Sequence, residues 1–123
     1  MIDPKELRIG NLVIGNKHGT IHSVDGITKF KISVASHFFL PDEFAHIHIT
    51  PELLERFGFE EKMSEIKYWR LGNTYPIYKD TNTGVWIFTY GNANVKLLYI
   101  HQLQNLYHAL TGQELTVKEL TAI

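Results

Sequence analysis

The chain contains no cysteine, which excludes disulfide bridges, thiolate metal centres and cysteine nucleophiles together. It also lacks an excess of charge of either sign. With 12 Lys+Arg against 13 Asp+Glu the formal net charge is −1, so the chain as a whole lacks the electrostatic footprint of non-specific nucleic-acid binding. No segment approaches the roughly 18 uninterrupted apolar residues of a membrane span. The opening MIDPKELRIG carries Asp3, Lys5, Glu6 and Arg8 where a signal peptide would be apolar, so no signal peptide, no membrane partner and a cytoplasmic location are expected. Catalytic signatures are equally scarce. Ser23, Ser33, Ser36 and Ser64 have no nucleophile-elbow context, no Gly-rich phosphate loop precedes a helix, and neither H-E-x-x-H nor an Asp-x-Asp cluster occurs. On these grounds we assign no catalytic residue and no cofactor, and the chain reads as a non-enzyme. Glu60, Glu61 and Glu65 read as a solvated face or loop.

What is present is enough apolar sequence for one ordinary core: 44% of the 123 residues are hydrophobic, which predicts a single domain over 1–123. Two subdomains are expected, a β-unit over about 1–49 and a helix, meander and closing helix over 50–123. In the first, Leu12 to Ile14 and Thr20 to Asp25 are β-prone runs bounded by Gly10, Gly15, Gly19 and Gly26. Ile27 to Val34 alternates apolar and polar residues as one further strand would. RIGNLVIGNKHGTIHSVDG resembles the opening of an SH3-like barrel, in which a strand passes through a Gly turn into a second strand.

The second part is more sharply punctuated. Thr50 is a good N-cap, Pro51 fits the first helical position, Leu53, Leu54 and Phe57 form an apolar stripe, and Gly58 supplies the stop, with Phe59 folding back onto the stripe. Four β-prone runs follow near Ile66–Leu71, Tyr75–Asp80, Val85–Tyr90 and Val95–Ile100. Gly72-Asn73, Asp80 to Gly84 and Gly91 to Asn94 separate them, and each separator is turn chemistry of hairpin length, so an antiparallel meander is expected. Leu103, Leu106, Tyr107 and Leu110 then share one helix face. Gly112 ends that helix before Glu114-Leu115-Thr116, a tail expected to add an edge strand or lie across the sheet.

Three strings, ELRIGN at Glu6 to Asn11, IT-x-ELLERFGFE from Ile49 to Glu60 and YIHQLQNLYHALTGQEL from Tyr99 to Leu115, resemble a family of small uncharacterised proteins of Bacteroidetes and their phages or other mobile elements. The resemblance implies a single-domain architecture and a mobile-element context. It implies no catalytic residue.

Three groups of side chains are candidates for a site. His46 and His48 form an H-x-H pair that an extended backbone places on one face, opposite Ile47 and Ile49, as two ligands of Zn²⁺ or another divalent ion would stand. His18, His22, His37 and Glu43 are the candidates for a further ligand, and the structural alternative is a solvent-facing strand edge. Trp69, Tyr78 and Trp86, with Lys67, Arg70 and Lys79 in the same strands, have the composition of a stacking platform for nucleic acid or another ligand. The alternative is that the aromatic face is core. His101, Asn105 and His108 form a polar rim on the closing helix, whose alternative role is to satisfy neighbouring loops and backbone.

The expected fold is therefore α+β: a Gly-punctuated, SH3-like N-terminal β-unit, a short helix, and a four-stranded antiparallel meander closed by a C-terminal helix. The expected function is that of a non-catalytic interaction or accessory protein whose partner is another protein. A nucleic-acid-binding module and a His-based metal protein or hydrolase are the alternatives. Exposure of Trp69 and Trp86 separates the first alternative, and convergence of histidines the second.

Overall fold

Short strands linked by tight turns account for most of the chain. A computed structural model, which describes residues 2–117, contains two antiparallel sheets of five strands each and two α-helices, an α+β architecture. The chain divides into two units, one holding residues up to His48 together with those from Tyr99 onward, the other Ile49–Leu98.

The first unit opens on a 3-10 turn, Pro4–Glu6, whose start is capped by the Asp3 carboxylate accepting the Lys5 N–H at 3.0 Å. Strands β1 (Leu12–Gly15), β2 (Ile21–Ile27), β3 (Ile32–Val34), β4 (His37–Phe39) and β5 (Phe44–Ala45) pair in the order β4-β3-β2-β1-β5. Ile2, Leu7, Val13, Val24, Ile32, Val34 and Phe44 form the core, with Ile27 and Phe39 against it. The run Ile27 to Val34 is not one strand. Thr28 turns the chain, its N–H donating to the Lys31 carbonyl and its Oγ1 accepting the Lys31 N–H at 2.9 Å. The alternation of residues survives across the turn and mimics a continuous strand. Strands β3 and β4 are joined by Ala35 and Ser36, both with positive φ, a conformation that a two-residue hairpin demands and that these side chains resist. The Asp25 carboxylate holds the tip by accepting the Ser36 N–H at 2.8 Å.

Helix α2 (Ile100–Thr111) belongs to this first unit, so the expected division near residue 49 does not carry the closing helix with it. Its buried face is Ile100, His101, Leu103, Gln104 and Tyr107, while Leu106 and Leu110 are only half-buried. The face is therefore rotated from the all-apolar stripe of the sequence, and the reason is Gln104. This side chain is fully buried and accepts the Leu12 N–H at 2.9 Å. It donates to the carbonyls of Gly10 and Leu115, each at 3.1 Å. A buried amide with all its capacity used is as good an anchor as a leucine. Gly112 takes a positive φ and ends the helix as expected. The described residues after it form no strand, but Leu115 is buried.

In the second unit, α1 (Pro51–Arg56) begins where Thr50 Oγ1 accepts the Leu53 N–H at 3.2 Å. It ends with Gly58 N–H donating to Glu55 and Phe59 N–H to Leu54, both at 2.9 Å, the paired bonds that a left-handed glycine makes possible. Strands β6 (Glu60–Met63), β7 (Lys67–Arg70), β8 (Pro76–Lys79), β9 (Trp86–Tyr90) and β10 (Ala93–Leu97) follow in meander order. The expected four strands are joined by a fifth, β6, which contains Glu60 and Glu61, expected as a solvated face or loop and exposed here on a strand. Its charges lie at a sheet edge, where they discourage a further strand from adding.

Candidate functional site

The site begins with register. His48 bridges Tyr99 in antiparallel sense and the Ile100 N–H donates to the Ile47 carbonyl at 2.7 Å. Two residues back along one segment and two forward along the other then put His46 across from His101. Side chains two apart on an extended segment share a face, and a row of rings results. The His48 ring lies 5.1 Å from Tyr99, Tyr99 lies 4.8 Å from His46, and His46 stacks on His101 at 4.3 Å.

Glu6 completes the group. The 3-10 turn carries it to this point, and Asn105 Nδ2, one helical turn beyond His101, holds the Glu6 carbonyl at 3.3 Å. Its Oε2 lies 3.4 Å from His46 Nε2 and 3.9 Å from His101 Nε2. One ligand atom from each of Glu6, His46 and His101 lies within 4.8 Å of the others, the one such metal-ligating cluster among the described residues. Glu6 is exposed, His46 half-buried, and His101 only 3% exposed. Burial lowers the His101 pKa to about 4, with the neighbouring His46 charge acting in the same direction. Burial also lowers the pKa of His46, against the opposing pull of Glu6. Both imidazoles are thus neutral at pH 7 and face a carboxylate. The Nδ1 atoms of both rings are buried without a hydrogen-bond partner among the described residues. Open clefts flank the cluster, one of about 420 Å³ beside His46 and His48, the other of about 690 Å³ beside Glu6 and His101.

Of the H-x-H pair, then, the structure brings His46 into a cluster and leaves His48 exposed on the far side of Tyr99. The expected further ligands are elsewhere: His18, His22, His37 and Glu43 line a separate cleft of about 630 Å³ beside Phe39 and Phe44. Glu6 was not anticipated, because nothing in its spacing links it to residues so far along the chain. The one trace was its place in ELRIGN. That string and IHQLQNLYHALTGQEL meet in space. Arg8 Nε donates to Asn105 Oδ1 at 3.2 Å, Asn11 Nδ2 donates to the same oxygen at 2.8 Å, and Arg8 forms a bidentate pair with Glu114. These hydrogen bonds from Arg8 hold the Glu114 carboxyl below its usual range.

The polar rim accordingly divides. His101 faces Glu6 and His46, Asn105 joins the two ends of the chain, and His108 sits 3.6 Å from Glu114. The stacking platform is dismantled. Trp69 and Trp86 are 5% and 3% exposed, pack edge to face at 5.3 Å, and Trp86 Nε1 donates to the Ile49 carbonyl at 3.0 Å. They are core, because β7 and β9 present them on the inner face of the sheet, together with the register positions of Lys67 and Lys79. Tyr78 and Arg70 fall on the other face, around a shallow depression of about 240 Å³.

Comparison with protein-family models, with curated proteins and with solved structures finds no match to this chain. Among the described residues no helix is long and apolar enough to cross a membrane.

Proposed function

We propose that the chain is a non-catalytic interaction protein, an accessory of a phage or other mobile element, and that it engages another protein through β4. The observation that carries this reading is the contrast between sheet edges. β6 ends its sheet with Glu60, Glu61 and Lys62 ahead of a single exposed Met63, β10 ends the same sheet with no large apolar side chain exposed, and β5 ends the other with two residues. At the opposite end of that sheet β4 pairs with β3 alone. It presents Phe38, followed by Leu40, each 53% exposed, and Phe30 in the adjoining turn is 70% exposed. An edge with free backbone groups and exposed apolar side chains is a template for an added strand. The occupant is a short extended segment of a partner protein, since Pro41 ends the edge. Lys29 and Lys31 flank the turn beside it, which favours a partner segment with carboxylates at its margin. The strand order, with the 3-10 turn Pro41–Glu43 placed ahead of β5, supports an SH3-like description of this unit. The mobile-element context rests on the sequence resemblance.

The test is capture of a partner from native host cells by the full chain, by a Phe38→Lys, Leu40→Lys variant, and by Met63→Lys at the end of β6. A partner held by the wild type and by Met63→Lys but lost on the β4 variant is the expected result. A partner retained equally by all three overturns the assignment.

A further inference from the structure

We propose that Glu6, His46 and His101 form a site for a divalent transition-metal ion of the Zn²⁺, Co²⁺ or Ni²⁺ class, three protein ligands from three separate segments with the remaining positions left to water. Two imidazoles and one carboxylate are the donor set such ions prefer over Mg²⁺ or Ca²⁺, which take oxygen. Donor atoms bound at about 2.0–2.1 Å in a tetrahedral arrangement lie roughly 3.4 Å apart. The observed 3.4 and 3.9 Å from Glu6 to the two histidines are close to that, and with all three donor atoms within 4.8 Å of one another the group closes on an ion once one ring moves. The stacked rings stand 24° from parallel, so ligation swings one of them. His46 is the one with room, half-buried beside the 420 Å³ cleft. His101 is fixed in the first turn of α2.

A second observation points the same way. His101 is almost fully buried, and its Nε2 stands 3.9 Å from Glu6 Oε2, beyond hydrogen-bond distance and within reach of a shared ion. An ion held between Nε2 and the carboxylate fills that gap, with the ring proton on Nδ1. Neither ring needs to lose a proton at neutral pH to accept a metal. The site lies in the first unit and is independent of the β4 edge, so the two proposals stand or fall separately.

Isothermal titration of the full, metal-stripped chain with Zn²⁺, and Co²⁺ absorption in the visible range, test the assignment. One equivalent bound at micromolar concentration is expected, weakened at least about tenfold by Glu6→Gln and by His46→Ala, with His48→Ala unchanged. Glu6 is exposed, so Glu6→Gln remains informative if His101 variants fail to fold. Absence of stoichiometric binding by the wild type overturns the proposal. So does binding that depends on His48 and not on Glu6, which would mark an adventitious H-x-H surface contact.

Discussion

Gln104→Leu is the substitution that probes the first unit most sharply, because it preserves side-chain bulk and removes only polar function. In the native chain the Gln104 amide accepts from Leu12 N–H and donates to the carbonyls of Gly10 and Leu115. Leu12 and Leu115 are both buried, whereas Gly10 is partly exposed and can turn to water. Stranding two buried backbone groups costs about 1–3 kcal/mol each, or roughly 2–6 together. The added apolar burial of leucine returns about 1–2 kcal/mol. A net loss of ~3 kcal/mol is therefore expected, a large part of the total for a domain of this size. Urea unfolding followed by far-UV circular dichroism measures it, and amide exchange at Leu12 should accelerate in parallel. A loss below about 1 kcal/mol, with Leu12 still protected, would refute the view that this amide joins the helix to the sheet.

Four further outcomes are expected. His101 has a depressed pKa of about 4, so the unfolded chain binds its proton first. The stability it contributes is complete above pH 6.5 and is lost as pH falls toward 4, by about 3 kcal/mol in all. Urea midpoints across this range in chelator should show that slope in the wild type and a shallower one in His101→Leu. Trp86→Phe leaves the Ile49 carbonyl without its donor and should cost about 1–3 kcal/mol beyond the change in packing, read from the same unfolding curves. Ala35→Asn with Ser36→Gly relieves two positive-φ positions in the β3–β4 turn and should raise stability by about 1 kcal/mol, seen as a higher melting temperature. Gly58→Ala should destabilise the second unit by more than about 1 kcal/mol, because φ is +98° there and the new Cβ would stand 3.2 Å from Leu71 Cδ1. Tryptophan emission, from Trp69 and Trp86, reports that unit.

Local chemistry was the legible part of the fold. Thr50, Pro51 and Gly58 bound α1 within a residue because caps and left-handed glycines act on their immediate neighbours. The Gly-Asn separators placed β7 to β10 for the same reason. β6 was missed because its strand character comes from pairing with β7, not from Glu60, Glu61 or Lys62 themselves. Ile27 to Val34 misled because a turn of four residues preserves alternation. For the site, the period of two correctly put His46 and His48 on one face, beside Tyr99. The choice between them was settled by α2 returning to this strand, a long-range contact with no local trace. Gln104 and Glu6 were hidden by the same cause, since the partners that bury the one and engage the other lie far along the chain.

The claim that function resides on the β4 edge is tested most directly by hydrogen exchange on the complex of the full chain with its captured partner. New protection at His37 to Leu40, with β6 and the aromatic strands β7 to β9 unchanged, is the predicted footprint. Protection confined to the second sheet, with the β4 amides exchanging as in the free chain, would contradict it.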